Sequence, residues 1–181
     1  MSVNQWYHYN QEFSTLDDLR IGLSLYKKIS FHDKFNKPLE NLYNYSHIDT
    51  LFFGLKFNQK IDNLPKNLKN LFLSRDFNQP LDNLPTTLKE LKVLGCFNYP
   101  LDFLPMGLEK LYLGEKFNHT LDNLPSTIKE LCFLYSGNMF DYPLRNLPKS
   151  IEYISLDGNY RYKDEVIKLY GNKVEFLDII N

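Results

Sequence analysis

The chain has little of what disulfide-rich, secreted or membrane-spanning proteins need. Only 2 of its 181 residues are cysteines, which is too few for a disulfide framework. No apolar run approaches the roughly 18 residues of a membrane-spanning helix. The first segment, MSVNQWYHYNQEF, lacks the basic and apolar regions of a signal peptide. These absences predict an intracellular, cytoplasmic protein that does not bind a membrane.

An excess of one charge sign and the common catalytic motifs are also missing. The 21 basic and 22 acidic residues give a formal net charge of −1. A protein that binds nucleic acid through its phosphates usually has a basic excess, so no nucleic-acid partner is expected. The sequence contains no HExxH, CxxC or GxSxG motif and no glycine-rich phosphate loop. We therefore predict that the protein is not an enzyme and holds no cofactor or metal.

What the sequence does have is an internal repeat. Phenylalanines mark equivalent positions 20 to 23 residues apart: Phe35, Phe57, Phe77, Phe97, Phe117 and Phe140. Five Leu-Pro pairs follow them, at Leu64-Pro65, Leu84-Pro85, Leu104-Pro105, Leu124-Pro125 and Leu147-Pro148. The first unit has Leu42 followed by Tyr43 where proline is expected. The repetition covers about residues 26 to 157, and so most of the chain.

Each unit ends in an LxL alternation, which is typical of a strand with one buried face. A unit of about 20 residues is too short to fold alone, so its apolar positions must be buried against neighbouring copies. Stacked units then form a parallel sheet, with turns and short 3₁₀ segments on the return side, because the segment from Phe to Pro is too short for an ordinary helix.

The pattern LxxLxLxxxFNxxLxxLPxx resembles the FNIP repeat, a subgroup of leucine-rich repeats. Five Phe-Asn pairs carry this resemblance, whereas Phe140 is followed by Asp141 and preceded by an insertion within YSGNM. The resemblance implies an α/β repeat solenoid, leucine-rich-repeat-like, with a curved parallel β-sheet on the concave side. It also implies a protein-interaction scaffold of amoebal or viral origin. Many members carry an F-box that recruits a ubiquitin ligase, but residues 1–25 are expected to be too short for one.

We expect one solenoid domain over residues 1–181, with the repeats of 26–157 between an N-terminal cap (1–25) and a C-terminal helix–strand cap (158–181). In STLDDLRIGL, Ser14 and Asp17 have capping-box spacing, which indicates a short helix. In RYKDEVIKLYG, a second helix ends at Gly171. Its predicted apolar side consists of Val166, Ile167, Leu169 and Tyr170. KVEFLDII (173–180) is the pattern of a final strand.

Two polar columns recur on the return side of the repeat. The first is predicted to be a structural ladder that satisfies backbone groups at a bend, the alternative being exposed recognition residues: Asn36, Asn58, Asn78, Asn98 and Asn118. The second is predicted to form turns by accepting backbone N–H groups, the alternative being a calcium ladder: Asp62, Asp82, Asp102 and Asp122.

Residues that alternate with the core leucines should face solvent on the sheet. We name as the central column Ser30, Phe52, Phe72, Lys92, Tyr112, Cys132 and Ser155. Its large aromatic groups, Phe52, Phe72 and Tyr112, are predicted anchors for a protein partner, with Lys92, Glu90 and Lys110 tuning specificity. The alternative is that a loop covers these aromatics, or that they only reinforce cross-strand packing.

The remaining functional alternatives are a ubiquitin-ligase substrate-recognition component that lacks its own F-box, and a self-associating structural protein. The oligomeric state stays open. The histidines and cysteines occupy different repeat positions and are therefore not expected to converge: His8, His32, His47, His119, Cys96 and Cys132.

Overall fold

The computed structural model describes residues 6–10, 16–134 and 137–177. Within these ranges the chain forms nine strands, two helices and two 3₁₀ turns. The strands are β1 (Trp6–Tyr9), β2 (Lys28–Phe31), β3 (Thr50–Phe53), β4 (Asn70–Leu73), β5 (Glu90–Val93), β6 (Lys110–Leu113), β7 (Glu130–Phe133), β8 (Tyr153–Asp157) and β9 (Val174–Leu177). The helices are α1 (Leu16–Leu25) and α2 (Lys163–Tyr170), and the 3₁₀ turns are Leu42–Asn44 and Gly171–Lys173.

All nine described strands lie side by side in one open, parallel sheet, in the order of the sequence. Equivalent leucines pair across successive strands, as in Leu51 with Leu71 and Leu71 with Leu91. Since neighbouring strands are about 4.8 Å apart, each repeat lengthens the solenoid by that distance. The predicted fold class, a leucine-rich-repeat-like solenoid with a parallel sheet on one side and turns on the other, is confirmed.

The core is a stack of identical layers. The leucines of the LxL strands are buried on the inner side of the sheet, and the phenylalanines of the repeat form a spine behind them. Successive spine rings from Phe35 to Phe140 lie 6.0 to 6.3 Å apart and are stacked. Tyr160 extends this spine beyond the predicted repeats, 5.9 Å from Phe140, and Tyr9 closes its other end edge-on against Phe35. Burial of these apolar side chains is the main source of stability.

The proline of each repeat begins a tight turn that returns the chain to the sheet. The N–H of Leu68 donates to the carbonyl oxygen of Pro65 at 3.1 Å, and the same bond recurs in the four later repeats. In the first repeat the equivalent bond runs from Ile48 to Tyr45 at 3.0 Å. Tyr45, and not Tyr43 as the sequence suggests, therefore occupies the proline position. The extra residues of this repeat are accommodated by the 3₁₀ turn Leu42–Asn44.

At the two ends the structure differs from the sequence expectations in part. Strand β1 was not predicted, yet it pairs with β2 along its whole length. Helix α1 overlaps the predicted segment, although Ser14 lies outside the described residues. Helix α2 stops before Gly171, as predicted, and the φ of this glycine is +57°. Its predicted apolar side is wrong in two positions, because Ile167 and Leu169 are exposed.

Strand β9 falls within the predicted segment 173–180, of which residues 178–180 lie outside the described residues. Neither described helix, of 10 and 8 residues, is long enough to span a lipid bilayer.

Candidate partner-binding face

The central column runs across the outward side of the sheet in strict register. Strand pairing aligns each member with the next, from Ser30 with Phe52 to Cys132 with Ser155. In its middle, four consecutive large side chains are half-buried; we name them the sheet stripe: Phe52, Phe72, Lys92 and Tyr112. These residues alternate with the leucines because successive side chains of a strand point to opposite faces.

Within the sheet stripe, a lysine lies between aromatic rings. The Phe52 and Phe72 ring centroids are 6.4 Å apart and tilted by 49°. The Lys92 Nζ is 5.1 Å from the Phe72 ring centroid and 4.3 Å from the Tyr112 centroid. A cation over an aromatic face within about 6 Å is attracted by the ring quadrupole. The lysine therefore links the aromatic pair to Tyr112 in one ordered row.

A charged column beside the sheet stripe holds these side chains in place. Glu90 Oε1 lies 3.1 Å from Lys92 Nζ, and Glu130 Oε1 lies 2.7 Å from Lys110 Nζ. The Tyr112 hydroxyl donates to Glu130 Oε2 at 2.9 Å. The hydrogen bond from Lys110 lowers the pKa of Glu130 below its usual 4.5. The pKa of Tyr112 is raised mainly by burial and, to a smaller extent, by its hydrogen bond to Glu130. Glu130 is thus an organising residue that the sequence argument did not include.

Toward β8 the central column becomes buried. Cys132 and Ser155 are in register as expected, but they are only 4% and 3% exposed, so the expectation that they face solvent is wrong. The charged side chain of Glu130 comes from the same strand as Cys132, and Tyr153 beside Ser155 donates a hydrogen bond to Glu175 on β9. Burial raises the pKa of Cys132 to about 11, and the negative charge of Glu130 is the second-largest cause of this rise.

At the opposite end, two histidines line the same surface depression. His8 and His32 both line a surface depression of about 330 Å³ together with Phe52 and Asp33. The expectation that the histidines do not converge is therefore wrong for this pair. The reason is strand β1, which the repeat pattern did not reveal and which aligns His8 with Ser30. Within the described residues, no three His, Cys, Asp or Glu side chains are arranged to hold a metal ion.

The asparagine column forms hydrogen bonds from rung to rung. Asn58 donates its backbone N–H to Asn36 Oδ1 at 2.9 Å, and Asn78 donates in the same way to Asn58 at 2.9 Å. The series continues through Asn98 and Asn118 at 3.0 and 2.9 Å. At the end, Asp141 donates its N–H to Asn118 Oδ1 at 3.0 Å, and its carboxylate meets Arg161 at 3.2 Å. Asp141 thus replaces the asparagine that follows phenylalanine in the other repeats at the point where this series of hydrogen bonds ends.

The aspartate column does not behave as predicted. All four side chains are exposed: Asp62, Asp82, Asp102 and Asp122. Within the described part of the chain none of them accepts a backbone N–H, and only Asp122 has a partner, the side-chain amide of Asn146 at 3.2 Å. The interpretation of this column as a former of Asx-turns is therefore wrong. The adjacent proline turns close through backbone bonds alone.

Comparison with known proteins agrees with this geometry. The FNIP Repeat family model matches residues 57–95 and 97–136. These two segments are FNIP repeats. A solved structure described as CroV588, a circular leucine-rich-repeat protein, superposes with a TM-score of 0.73 at 28% identity, and covers 85% of this chain. The chain spans about a quarter of that protein's length, since 24% of it is matched. No curated protein sequence matches the chain significantly.

Sequence reasoning also missed two residues on the turn side of the FNIP repeats. Phe103 and Met106 are 72% and 70% exposed, more than any other large hydrophobic residue of the described chain. The available signal was their departure from the repeat, in which both positions are otherwise polar.

Proposed function

We propose that this FNIP-repeat chain is a non-catalytic scaffold that binds a protein partner through the sheet stripe. Leucine-rich-repeat-like folds generally mediate protein–protein interaction, which supports the general class of function. The observation that carries the specific proposal is the half-exposed row of Phe52, Phe72, Lys92 and Tyr112 on an otherwise regular sheet.

The physical basis is a rigid surface that loses little entropy when it binds. Lys92 and Tyr112 are already held by Glu90 and Glu130 in the free protein, so their ordering does not have to be supplied by the partner. Partly exposed aromatic rings can then bury apolar area in a partner's pocket, while the surrounding charges select among partners. Glu90 and Lys110 lie beside the aromatic row and are assigned this selective role.

The experiment is affinity capture from native cells, followed by mass spectrometry and measurement of Kd for the partner identified. Phe72→Ala and Lys92→Ala are the test variants. Asn63→Ala, on the turn side, is the matched control because Asn63 is exposed and has no side-chain partner in the described structure. We expect Phe72→Ala to weaken binding at least tenfold, as for a central hot-spot residue, and Asn63→Ala to leave it unchanged.

Circular dichroism and Tm establish that each variant is folded. If the partner binds the folded Phe72→Ala and Lys92→Ala variants as tightly as the unchanged protein, the sheet stripe is not the binding surface.

A further inference from the structure

On the turn side of the solenoid, one repeat departs from the others at two turn positions. The first position is asparagine elsewhere, at Asn63, Asn83, Asn123 and Asn146, and is occupied here by Phe103. The second is polar elsewhere, at Lys66, Thr86, Ser126 and Lys149, and is occupied here by Met106. We name these two residues the turn patch.

The other repeats fold in the same way without the two apolar residues of the turn patch. Its repeat buries the usual core positions, Leu101, Leu104 and Leu108, and closes the usual proline turn with a 3.0 Å bond. The sister repeats form the same turn with polar residues in place of Phe103 and Met106. The two residues are three positions apart along the chain, so their Cα atoms are at most about 11 Å apart. Two large apolar groups are therefore exposed together without a structural need.

The surroundings of the turn patch are acidic. The three neighbouring turn segments, 81–88, 101–108 and 121–128, contain Asp82, Asp102 and Asp122 and no lysine or arginine. Asp82 and Asp102 form no hydrogen bond or ion pair with the described residues. Lys89 does reach the segment, with its Nζ 3.1 Å from the Gly107 carbonyl oxygen. It shares the Glu109 carboxylate with Lys129, at 3.0 and 2.9 Å, so these three groups carry a net charge of +1 against the −3 of the three aspartates.

Gly107 leaves one accessible hydrogen-bond acceptor at the same place, the carbonyl oxygen of the exposed Thr86. In the neighbouring repeats a threonine hydroxyl bonds two carbonyl oxygens of the preceding rung, as Thr127 does to Met106 and Leu108 at 2.8 and 2.6 Å. Gly107 has no hydroxyl, so the carbonyl oxygens of Thr86 and Leu88 receive no such bond. A Cβ at Gly107 would lie 3.2 Å from the Thr86 oxygen, which places that acceptor directly beside the turn.

We propose that the turn patch is a second interaction surface, which binds a protein segment carrying an apolar side chain flanked by lysine or arginine. The apolar side chain contacts Phe103 and Met106. The basic groups meet Asp82, Asp102 and Asp122 and can donate to the carbonyl oxygen of the exposed Thr86. A second copy of this chain docking through the same patch would bring two aspartate columns together, and their repulsion disfavours that occupant.

The test uses the full chain and a fluorescent hexapeptide with the residues Lys, Arg, Leu, Phe, Arg and Lys in that order, measured by anisotropy. Two twin peptides accompany it, one with glutamates in place of the basic residues and one with serines in place of Leu and Phe. The test variant is the double substitution Phe103→Asn and Met106→Thr, which installs residue types that the sister repeats carry at these turns. Phe72→Ala is the matched control on the sheet.

We expect the unchanged protein to bind the basic–apolar peptide and neither twin. The double variant should bind at least tenfold more weakly with an unchanged Tm, while Phe72→Ala should bind as the unchanged protein does. The affinity should also fall as salt rises from 50 to 500 mM, because the carboxylates are exposed.

Each of the following results would overturn the proposal. The first two are no binding of the basic–apolar peptide up to millimolar concentration, and equal binding by the double variant. The third is equal binding of the glutamate twin. The fourth is a dimer in sedimentation velocity that the double variant loses, since this would assign the turn patch to a second copy of the chain. Loss of peptide binding in Phe72→Ala would instead place the peptide on the sheet and count against the turn patch.

Discussion

Replacing Asn58 with alanine should measure what one rung of the asparagine series contributes. The Asn58 Oδ1 accepts two hydrogen bonds, from the Asn78 backbone N–H at 2.9 Å and from Gln79 Nε2 at 3.1 Å. Alanine removes the acceptor and leaves the backbone donor of Asn78 without its partner. No backbone strain accompanies the change, because Asn41 is the only described non-glycine residue with a positive φ.

The expected loss follows from the count of bonds. Each hydrogen bond contributes about 1 kcal/mol net, so Asn58→Ala should lower the free energy of unfolding by about 2 kcal/mol. With a urea m-value of about 2 kcal/mol/M, the midpoint should fall by about 1 M. Asn58→Asp retains an acceptor oxygen and should lose less than half as much. Urea unfolding followed by circular dichroism measures both.

Asn63→Ala provides the control, since Asn63 is exposed and its side chain has no partner in the described chain. Its substitution should change stability by less than about 0.5 kcal/mol. If Asn58→Ala were no more destabilising than Asn63→Ala, or if Asn58→Asp lost as much as Asn58→Ala, the asparagine series would not support the solenoid through these bonds.

Two further predictions concern the core and the cysteines. Phe77→Ala should cost about 3–5 kcal/mol in urea unfolding, because the Phe77 ring is fully buried between Phe57 and Phe97 at 6.2 Å on either side; a loss under about 1 kcal/mol would contradict a continuous spine. A maleimide reagent should label the exposed Cys96 much faster than Cys132, whose burial raises its pKa to about 11. Mass spectrometry of the folded protein measures both labelling rates. Equal rates would show that the β7 end of the central column is open to solvent.

The sequence predicts those parts of the structure that the repeat enforces. The alternation of the leucines places Phe52 and Phe72 in one column, because a slip of one residue would move every core side chain to the outer face. Strand β1 escapes this argument, since WYHY shares none of the leucines; only the alternation of Tyr7 and Tyr9 indicates its inward side. The bond from Tyr112 to Glu130 also lies beyond a pattern argument, because it depends on side-chain rotamers and not on register.

The two surfaces should recognise their partners by different physics. At the sheet stripe the charges of Lys92 and of the neighbouring Lys110 are already balanced by Glu90 and Glu130, so a partner gains mainly from apolar contact and its affinity should depend weakly on salt. Beside the turn patch, Asp82 and Asp102 are exposed and have no partner among the described residues, so a basic segment gains from their charge and its affinity should fall steeply with salt. Titrating both complexes with sodium chloride compares the two directly. Equal salt dependence would mean that the internal ion pairs of the sheet do not shield its face.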